Sequence, residues 1–229
     1  MSGPALRPCL ILFTKPAVPG RVKTRLIGAL SAQQAAELHA AFLRDLGERL
    51  AAACWEVWTA WHLEEGEAPA LGLIGGGTPP RALRQRGADL GERLYRALRT
   101  AADEGFDPVA AIGSDLPTLP LARLDECSRA FGVGADVVIG PAADGGYYLL
   151  SCRASALEPG LFAGVDWSTP RVLEQTLERC ADAGLRVELL AAGRDVDTPA
   201  DLERLAAELR VAPGLCPRTE ALLALWGLA

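Results

Sequence analysis

The stretch Cys9-Leu10-Ile11-Leu12-Phe13-Thr14-Lys15-Pro16-Ala17-Val18-Pro19-Gly20-Arg21-Val22-Lys23 decides the fold class. Its apolar run, Leu10 to Phe13, is bounded by turn residues, which is typical of a buried strand. The loop from Thr14 to Val22 contains two prolines and a glycine, so the strand ends there. A long helix is predicted next, capped by Ser31 and ending near Ala53. The chain therefore opens with a strand, a shaped loop and a helix.

The same alternation continues along the chain. Further strands are predicted at Trp55–Trp61, Leu71–Ile74, Val109–Ile112, Val137–Ile139, Tyr147–Leu150 and Arg186–Leu190, and further helices at Asp89–Ala102, Leu121–Phe131, Thr169–Ala183, Pro199–Leu209 and Thr219–Trp226. Strands that alternate with helices indicate a mostly parallel sheet covered on both faces. Because no linker or repeat divides the 229 residues, we predict a single α/β domain over 1–229, with 210–229 as a helical tail.

Composition and charge exclude several classes of protein. Half of the residues are hydrophobic, which argues against disorder. The net charge of −6 argues against a nucleic-acid binder, and no apolar run approaches the ~20 residues that span a bilayer. The six cysteines are scattered without a C-x-x-C pair, so we expect reduced thiols and a cytoplasmic protein. The two histidines argue against a His-rich zinc site, and His39 is expected to pack within a helix.

Lysine is distributed very unevenly. The chain has 23 basic residues, and the only two lysines, Lys15 and Lys23, both lie in the loop after the first strand. A loop that leaves a strand and enters a helix presents backbone N–H groups to an anion, and lysine adds a compact ammonium. We predict a cradle for a triphosphate or pyrophosphate, with a solvated charged loop as the alternative. The loop lacks the Walker A glycine spacing, and no G-x-G-x-x-G is present.

Two aspartates follow predicted strands. Asp115 ends the strand at Val109–Ile112, and Asp197 follows the strand at Arg186–Leu190. In an open parallel sheet, ligands bind beyond the carboxyl ends of the strands. Thr198 and Asp201 form a capping box without Asp197, which leaves that carboxylate available. The two aspartates therefore predict a magnesium site, with turn-forming aspartates as the equally weighted alternative.

Two further segments carry polar and aromatic residues. Asp144-Gly145-Gly146 lies between two predicted strands, a position that also suits an ordinary hairpin turn. Trp167-Ser168-Thr169-Pro170 has the pattern of a helix N-cap with proline at the first helical position. Trp167 is placed by this pattern where it could face a pocket.

Several segments together resemble a known family. They are Phe13–Leu26, Gln85–Leu94, Gly113–Pro117, Gly140–Leu150, Trp167–Thr169 and Asp195–Pro199. As an ordered set they resemble the bacterial GT-A-fold glycosyltransferase A-like family, also called radical-SAM/selenodomain-associated transferase 1. That family is similar to 2-phospho-L-lactate guanylyltransferase and, more distantly, to molybdenum-cofactor nucleotidyltransferases. The resemblance implies a nucleotide-diphospho-sugar transferase fold.

The resemblance also implies roles for residues. It places Mg²⁺ (or Mn²⁺) on Asp115 and Asp197, and phosphates on the loop that bears Lys15, Gly20, Lys23 and Arg25. It places Gln85 to Gly91 near a base and ribose, and Asp144, Gly145 and Gly146 on the acceptor side.

Three functions are compatible with these residues. The first is transfer of a nucleoside monophosphate from an NTP to a small phosphorylated or hydroxyl acceptor with release of pyrophosphate, where Mg²⁺, Lys23 and Arg25 stabilise charge on the phosphates. The second is glycosyl transfer from an NDP-sugar, with Asp144 as the base. The third is a nucleotide-binding module without turnover. We rank them in this order.

Overall fold

The computed structural model describes residues 6–75 and 79–228, and its central strand is the one that opens the sequence. Strand β1 (Cys9–Thr14) alternates its side chains between two apolar layers. Cys9 and Ile11 pack into one layer, while Leu10 and Leu12 pack into the other. All four are fully buried, as expected for a strand covered on both faces.

One seven-stranded sheet forms the centre of the described chain. The other strands are β2 (Glu56–Trp61), β3 (Arg81–Arg84), β4 (Val109–Gly113), β5 (Val137–Pro141), β6 (Tyr147–Cys152) and β7 (Val187–Leu189), in the order β3-β2-β1-β4-β6-β5-β7. Strand β6 pairs antiparallel with β4 and β5, and the remaining pairings are parallel. The predicted fold class, a mostly parallel sheet flanked by helices, is confirmed.

Six α-helices are found in the described residues. They are α1 (Ala32–Leu50), α2 (Leu90–Asp103), α3 (Ala122–Gly132), α4 (Val172–Asp182), α5 (Pro199–Val211) and α6 (Pro217–Leu225). Helices α2 and α4 cover one face of the sheet, and α1 and α3 cover the other. Helices α5 and α6 pack on the outer side of α1 in a third apolar cluster. In the described part of the chain, no helix is long and apolar enough to cross a membrane.

One predicted strand in the region after β2 is wrong, and the strand found there is absent from the prediction. Leu71–Ile74 is not a strand, because Leu71–Leu73 forms a short 3-10 helix. The strand instead lies further along, at β3, which pairs with Trp58–Trp61 at the edge of the sheet. An edge strand buries few side chains, and β3 begins and ends with exposed arginines, so its sequence carries no apolar run. The adjoining Gly76–Thr78 segment lies outside the described residues.

The predicted helix start at Thr169 is also wrong. Helix α4 begins at Val172, and Ser168 adopts a left-handed conformation with φ of 65°. The Thr169 hydroxyl donates to the Asp166 carbonyl at 2.7 Å and accepts from the Arg171 N–H, so it closes a turn and caps no helix. By contrast, Ser31 and Thr198 cap α1 and α5 as predicted, each with a complete capping box.

The order of the strands creates a crevice. From β1 the chain adds β2 and β3 on one side, and it then returns to place β4 on the other side of β1. Loops that leave β1 and β4 therefore diverge at this switch point, which is where open α/β sheets bind ligands. The Lys15 loop follows β1, and Asp115 follows β4.

Candidate active site

Two adjoining cavities open at the carboxyl ends of β1 and β4. The first, which we call the loop cavity, has a volume of about 360 Å³ and is lined by the β1 loop, His39, Gln85 and Arg93. The second, which we call the aromatic cavity, has a volume of about 440 Å³ and is lined by Tyr147 and Trp167. Both cavities border Arg25, Leu90, Asp115 and Asp197. They are two halves of one cleft.

The β1 loop is anchored on both sides of Lys23. Val22 and Leu26 are buried, and Lys23 itself adopts a left-handed conformation with φ of 47°. Arg21 is held outside the cleft by Glu67 and by Glu64 at 3.0 Å. This combination turns the side chain of Lys23 inward and leaves Lys15 and Arg25 at the cavity wall.

Lys23 joins the two predicted metal ligands. Its Nζ lies 2.5 Å from Asp115 Oδ1 and 3.1 Å from Asp197 Oδ1, and it donates to the Val196 carbonyl at 2.6 Å. The side chain is only 2 % exposed. Burial alone would lower the pKa of Lys23, but the carboxylates of Asp115 and Asp197 raise it above its usual value. Burial would raise the pKa of Asp115, but the Lys23 ammonium lowers it below its usual value.

The cations of the loop therefore divide into two kinds. Lys23 is neutralised by two aspartates, while the salt bridges of the described residues include neither Lys15 nor Arg25. Lys15 and Arg25 are thus the loop cations whose charge faces the cleft without a carboxylate partner. Sequence reasoning places Lys23 and Arg25 together in one role, and the geometry separates them.

His39 has a position that sequence reasoning missed. It is buried on α1, with Nε2 3.1 Å from the Lys15 carbonyl and 3.3 Å from Thr14 Oγ1. Burial lowers its pKa below the usual value, so the ring is neutral near pH 7. A neutral ring that donates to the Lys15 carbonyl supports the start of the loop. A helical pattern that contains a histidine does not reveal this contact, since it depends on how α1 packs against β1.

Gln85 connects the ends of two strands. Its side-chain amide donates to the Ala60 carbonyl at 2.9 Å and to the Thr14 carbonyl at 3.2 Å. The residue lies at the wall of the loop cavity, directly after β3. Gln85 therefore ties the carboxyl ends of β1 and β2 together on the side predicted to face a base and ribose.

Asp115 and Asp197 have the character of ligands for a hard divalent cation. Their carboxylates converge on one point, Lys23 Nζ, and the two side chains are 39 % and 35 % exposed. No group of three or more His, Cys, Asp or Glu side chains suited to a metal was found among the described residues. Two carboxylates with remaining positions open to water and phosphate match the way Mg²⁺ binds, and they do not match a closed zinc site. The residues fit the predicted ion.

The aromatic cavity has a wall of two rings. Tyr147 and Trp167 contact edge to face, with ring centroids 6.4 Å apart. Asp144 lines the cavity as well, and its Oδ1 accepts the Gly146 N–H at 3.0 Å in a tight turn between β5 and β6. The predicted Asp144-Gly145-Gly146 segment is thus both a hairpin turn and part of the cleft.

Predicted glycines shape the walls. A side chain at Gly91 would overlap the indole of Trp167, and one at Gly145, whose φ is 89°, would overlap the Pro170 carbonyl. Both glycines therefore let segment 166–170 approach the sheet closely. Gly146 lines the aromatic cavity, and Gly20 lies at an open turn of the β1 loop.

Asp195 is a second residue that the sequence analysis missed. It lines the aromatic cavity beside Asp197, and buried Val196 lies between them. Burial raises the pKa of Asp195 to about 7, and the nearby charges of Asp115 and Asp197 contribute in the same direction. The spacing was a usable signal, because residues i and i+2 of an extended segment point to the same side.

Comparison with known proteins shows the family of the chain. The sequence profile of DUF2064, described as an uncharacterized protein family conserved in bacteria, matches residues 77–169. The solved structure of a candidate nucleotide-diphospho-sugar transferase from Desulfovibrio desulfuricans G20 is 32% identical, with a TM-score of 0.89, and the alignment covers 98% of this chain and 97% of that chain. The chain belongs to the same family as this transferase. The resemblance to GT-A-like transferases is thereby confirmed.

More distant structures share the fold alone. A cytidylyltransferase from Leptospira borgpetersenii serovar Hardjo-bovis is 16% identical, with a TM-score of 0.62 and coverage of 97% of this chain and 94% of that one. A CMP:2-keto-3-deoxy-manno-octonic acid synthetase, solved with CTP, is 17% identical, with a TM-score of 0.56 and coverage of 90% and 99%. Among curated proteins, none matches the sequence. The family's fold is thus one that nucleotidyltransferases also use.

Proposed function

We propose that the protein is a divalent-metal-dependent nucleotidyltransferase, which moves a nucleoside monophosphate from an NTP to a small acceptor and releases pyrophosphate. One observation carries the proposal: Asp115 and Asp197 converge on Lys23 at the switch point, directly beside the cationic β1 loop. Carboxylates that can hold Mg²⁺ next to unpaired cations are what a triphosphate requires.

The loop cavity suits a triphosphate by its charge. Lys15, Arg25 and Arg93 line it, together with Lys23, whose positive charge is offset by Asp115 and Asp197. A triphosphate carries more negative charge than the diphosphate of a nucleotide-sugar, so it gains more from three cations in one cavity. His39 holds the Lys15 carbonyl, which fixes where the loop begins.

Each residue has a distinct task in this scheme. Asp115 and Asp197 would hold Mg²⁺ or Mn²⁺, which when bound neutralises charge on the phosphate oxygens. Lys23 keeps these two carboxylates together and offsets their repulsion. Arg25 borders both cavities, so it is placed to stabilise charge at the phosphate that is transferred between them.

Glycosyl transfer is the second candidate, because the 32%-identical family member is named as a candidate nucleotide-diphospho-sugar transferase. The same carboxylates would then face the diphosphate of the donor, and Asp144 would accept the proton of the acceptor hydroxyl. The product separates the two functions: nucleotidyl transfer releases pyrophosphate, and glycosyl transfer releases an NDP.

Ligand-induced thermal shifts test the proposal without a known acceptor. Each NTP and a panel of NDP-sugars are added with and without Mg²⁺, and a ligand at 100 times its Kd adds about 2.7 kcal/mol of stability. We expect a Mg²⁺-dependent shift with at least one NTP that is lost in Asp115→Asn and kept in Asp125→Asn, an exposed aspartate on α3. A shift with NDP-sugars only would favour glycosyl transfer, and no shift with any nucleotide would overturn both.

A further inference from the structure

We propose that the aromatic cavity selects an uncharged, hydroxyl-rich acceptor, such as a sugar or polyol, and disfavours its phosphate ester. This inference rests on the proposed function, and it narrows the acceptor from any small phosphorylated or hydroxyl compound to one chemical class. It follows from the charge, the aromatic wall and the rigidity of this half of the cleft.

Apart from the metal ion that Asp115 and Asp197 would hold for the NTP, the aromatic cavity contains little positive charge for an anionic acceptor. Among its described lining residues, Arg25 is the one cation, and Arg25 also borders the loop cavity where the phosphates of the NTP are proposed to bind. Asp144 is exposed at the wall, and Asp195 adds no positive charge in either protonation state. A phosphate on the acceptor would therefore face carboxylates, and it would compete with the NTP for Arg25.

The wall matches a molecule with an apolar face and hydroxyl edges. Tyr147 and Trp167 present aromatic surface, while the exposed Ser168 and Thr169 lie at the same cavity. The indole N–H of Trp167 is buried and has no hydrogen-bond partner within the described part of the chain. That N–H lies against Gly91, so the polar groups beside the aromatic surface are those of Ser168, Thr169 and Asp144. Aromatic surface with a few polar groups is typical of small-molecule sites.

The wall is also held in place before any ligand binds. Asp166 organises the segment: its backbone N–H donates to Gln175 at 2.7 Å, and its carboxylate accepts from Gln175 at 2.9 Å and from Arg171 at 3.2 Å. The Leu173 N–H donates to the Gly145 carbonyl, which joins this segment to the β5–β6 turn. A preformed wall favours a ligand of matching shape, since little ordering is needed on binding.

The proposed transfer exchanges one phosphorus–oxygen bond for another. A hydroxyl oxygen of the acceptor attacks the α-phosphorus of the NTP and forms a new P–O bond, while the bond to the bridging oxygen between the α- and β-phosphorus breaks. Pyrophosphate leaves with that electron pair, and the hydroxyl proton passes to the Asp144 carboxylate. The product is a phosphodiester between the nucleoside monophosphate and the acceptor.

Matched pairs of compounds test the inference. Glucose, mannose, glycerol and myo-inositol are each compared with a phosphate monoester, and binding is followed by tryptophan fluorescence, with Trp167→Phe as the control for the origin of the signal. We expect at least one unphosphorylated compound to bind saturably, with its ester about tenfold weaker or worse. The double variant Asp144→Asn, Asp195→Asn should reduce this preference, and Asp125→Asn should leave it unchanged.

Other outcomes overturn the inference. The inference is wrong if a phosphate ester binds as tightly as its parent compound. Loss of that binding in Arg194→Ala would place the phosphate in a smaller cavity of about 180 Å³, which Arg194 lines together with Asp144 and Asp195. Absence of a Trp167-dependent signal with every compound also overturns the inference. Thermal shifts with NTP and Mg²⁺ are measured in parallel: if these fail while a neutral compound binds, the proposed function is wrong and the assignment of the cavity stands.

Discussion

The two halves of the cleft share one edge of the sheet and differ in charge. The loop cavity is lined by Lys15, Lys23, Arg25 and Arg93, while the aromatic cavity gathers carboxylates around a single arginine. Each half also holds one of the two non-glycine residues with positive φ in the described chain, Lys23 and Ser168. A positive φ at a residue other than glycine costs conformational free energy, and such residues cluster at functional sites.

The difference between the halves follows from how each wall is built. The loop cavity is formed by connections that leave parallel strands β1, β2 and β4, so backbone and cations point toward a common ligand position. The aromatic cavity is formed where β6 runs antiparallel and brings the β5–β6 turn against segment 166–170. One sheet edge thereby carries a cationic cavity next to an aromatic cavity lined by carboxylates.

The largest expected effect is on nucleotide binding, and it comes from Asp115, which borders both cavities. Asp115→Asn should weaken the binding of NTP in the presence of Mg²⁺ about 100-fold or more, because it removes one of two convergent carboxylates. Isothermal titration calorimetry with and without Mg²⁺ measures this. If Asp115→Asn and the surface variant Asp103→Asn bind NTP equally well, Asp115 does not hold the metal.

The second effect is on stability. Lys23→Met leaves Asp115 and Asp197 facing each other without their cation, and because both carboxylates are partly exposed the loss of stability should be below the ~3–5 kcal/mol of a fully buried pair. If Asp115 and Asp197 hold Mg²⁺ as proposed, the ion should raise the melting temperature of Lys23→Met more than that of the unmodified protein, because it replaces the missing positive charge. An equal response of both proteins to Mg²⁺ would show that the carboxylates do not form one cation site.

A reciprocal pair of variants tests whether the halves are independent. Lys15→Ala should weaken NTP binding about tenfold through loss of one charge-assisted contact, whereas Trp167→Ala should change it by less than about twofold because it lies in the other half. Calorimetric titration of both variants with the same NTP gives the comparison. Equal losses would mean that the two cavities act as a single pocket.

The smallest expected effect concerns the cap beside Asp197. Asp201 accepts from the N–H groups of Asp197 and Thr198, and although partial burial would raise its pKa, hydrogen bonds from Arg204 and Thr198 lower it to about 2. Its stabilisation is therefore complete above about pH 4 and is lost as pH falls through 2. Asp201→Asn should lose about 1 kcal/mol at neutral pH. Urea unfolding at neutral and acid pH would show a difference that vanishes in acid.

Prediction from sequence succeeded where a local pattern carries the information. The buried strand at β1 and the caps at Ser31 and Thr198 follow from patterns within a few residues. The rule that ligands bind beyond strand ends predicts that Asp115 and Asp197 lie close together, and the structure brings both carboxylates to Lys23 Nζ, while their binding of a metal stays a prediction. Sequence also placed both lysines in one loop.

Prediction failed where the information lies in contacts between distant segments. Strand β3 is stabilised by pairing with β2 at an edge, so its own side chains show no apolar pattern. Helix α4 begins late because Thr169 closes a turn on Asp166. The position of His39 depends on the packing of α1 against β1, and that of Asp195 on the Val196 N–H bonding to the Asp115 carbonyl at 2.9 Å.

By itself, then, the sequence determined the fold class, the cationic loop and the strand-end positions of the two aspartates, because hydrophobic period, turn residues and strand ends are local properties. Only the tertiary structure decided what Lys23 does, since its ammonium meets carboxylates that lie 92 and 174 residues away along the chain. It also decided that the cleft has a cationic half and an acidic, aromatic half. Charge becomes a site only when folding brings distant groups within a few ångströms and removes the water between them.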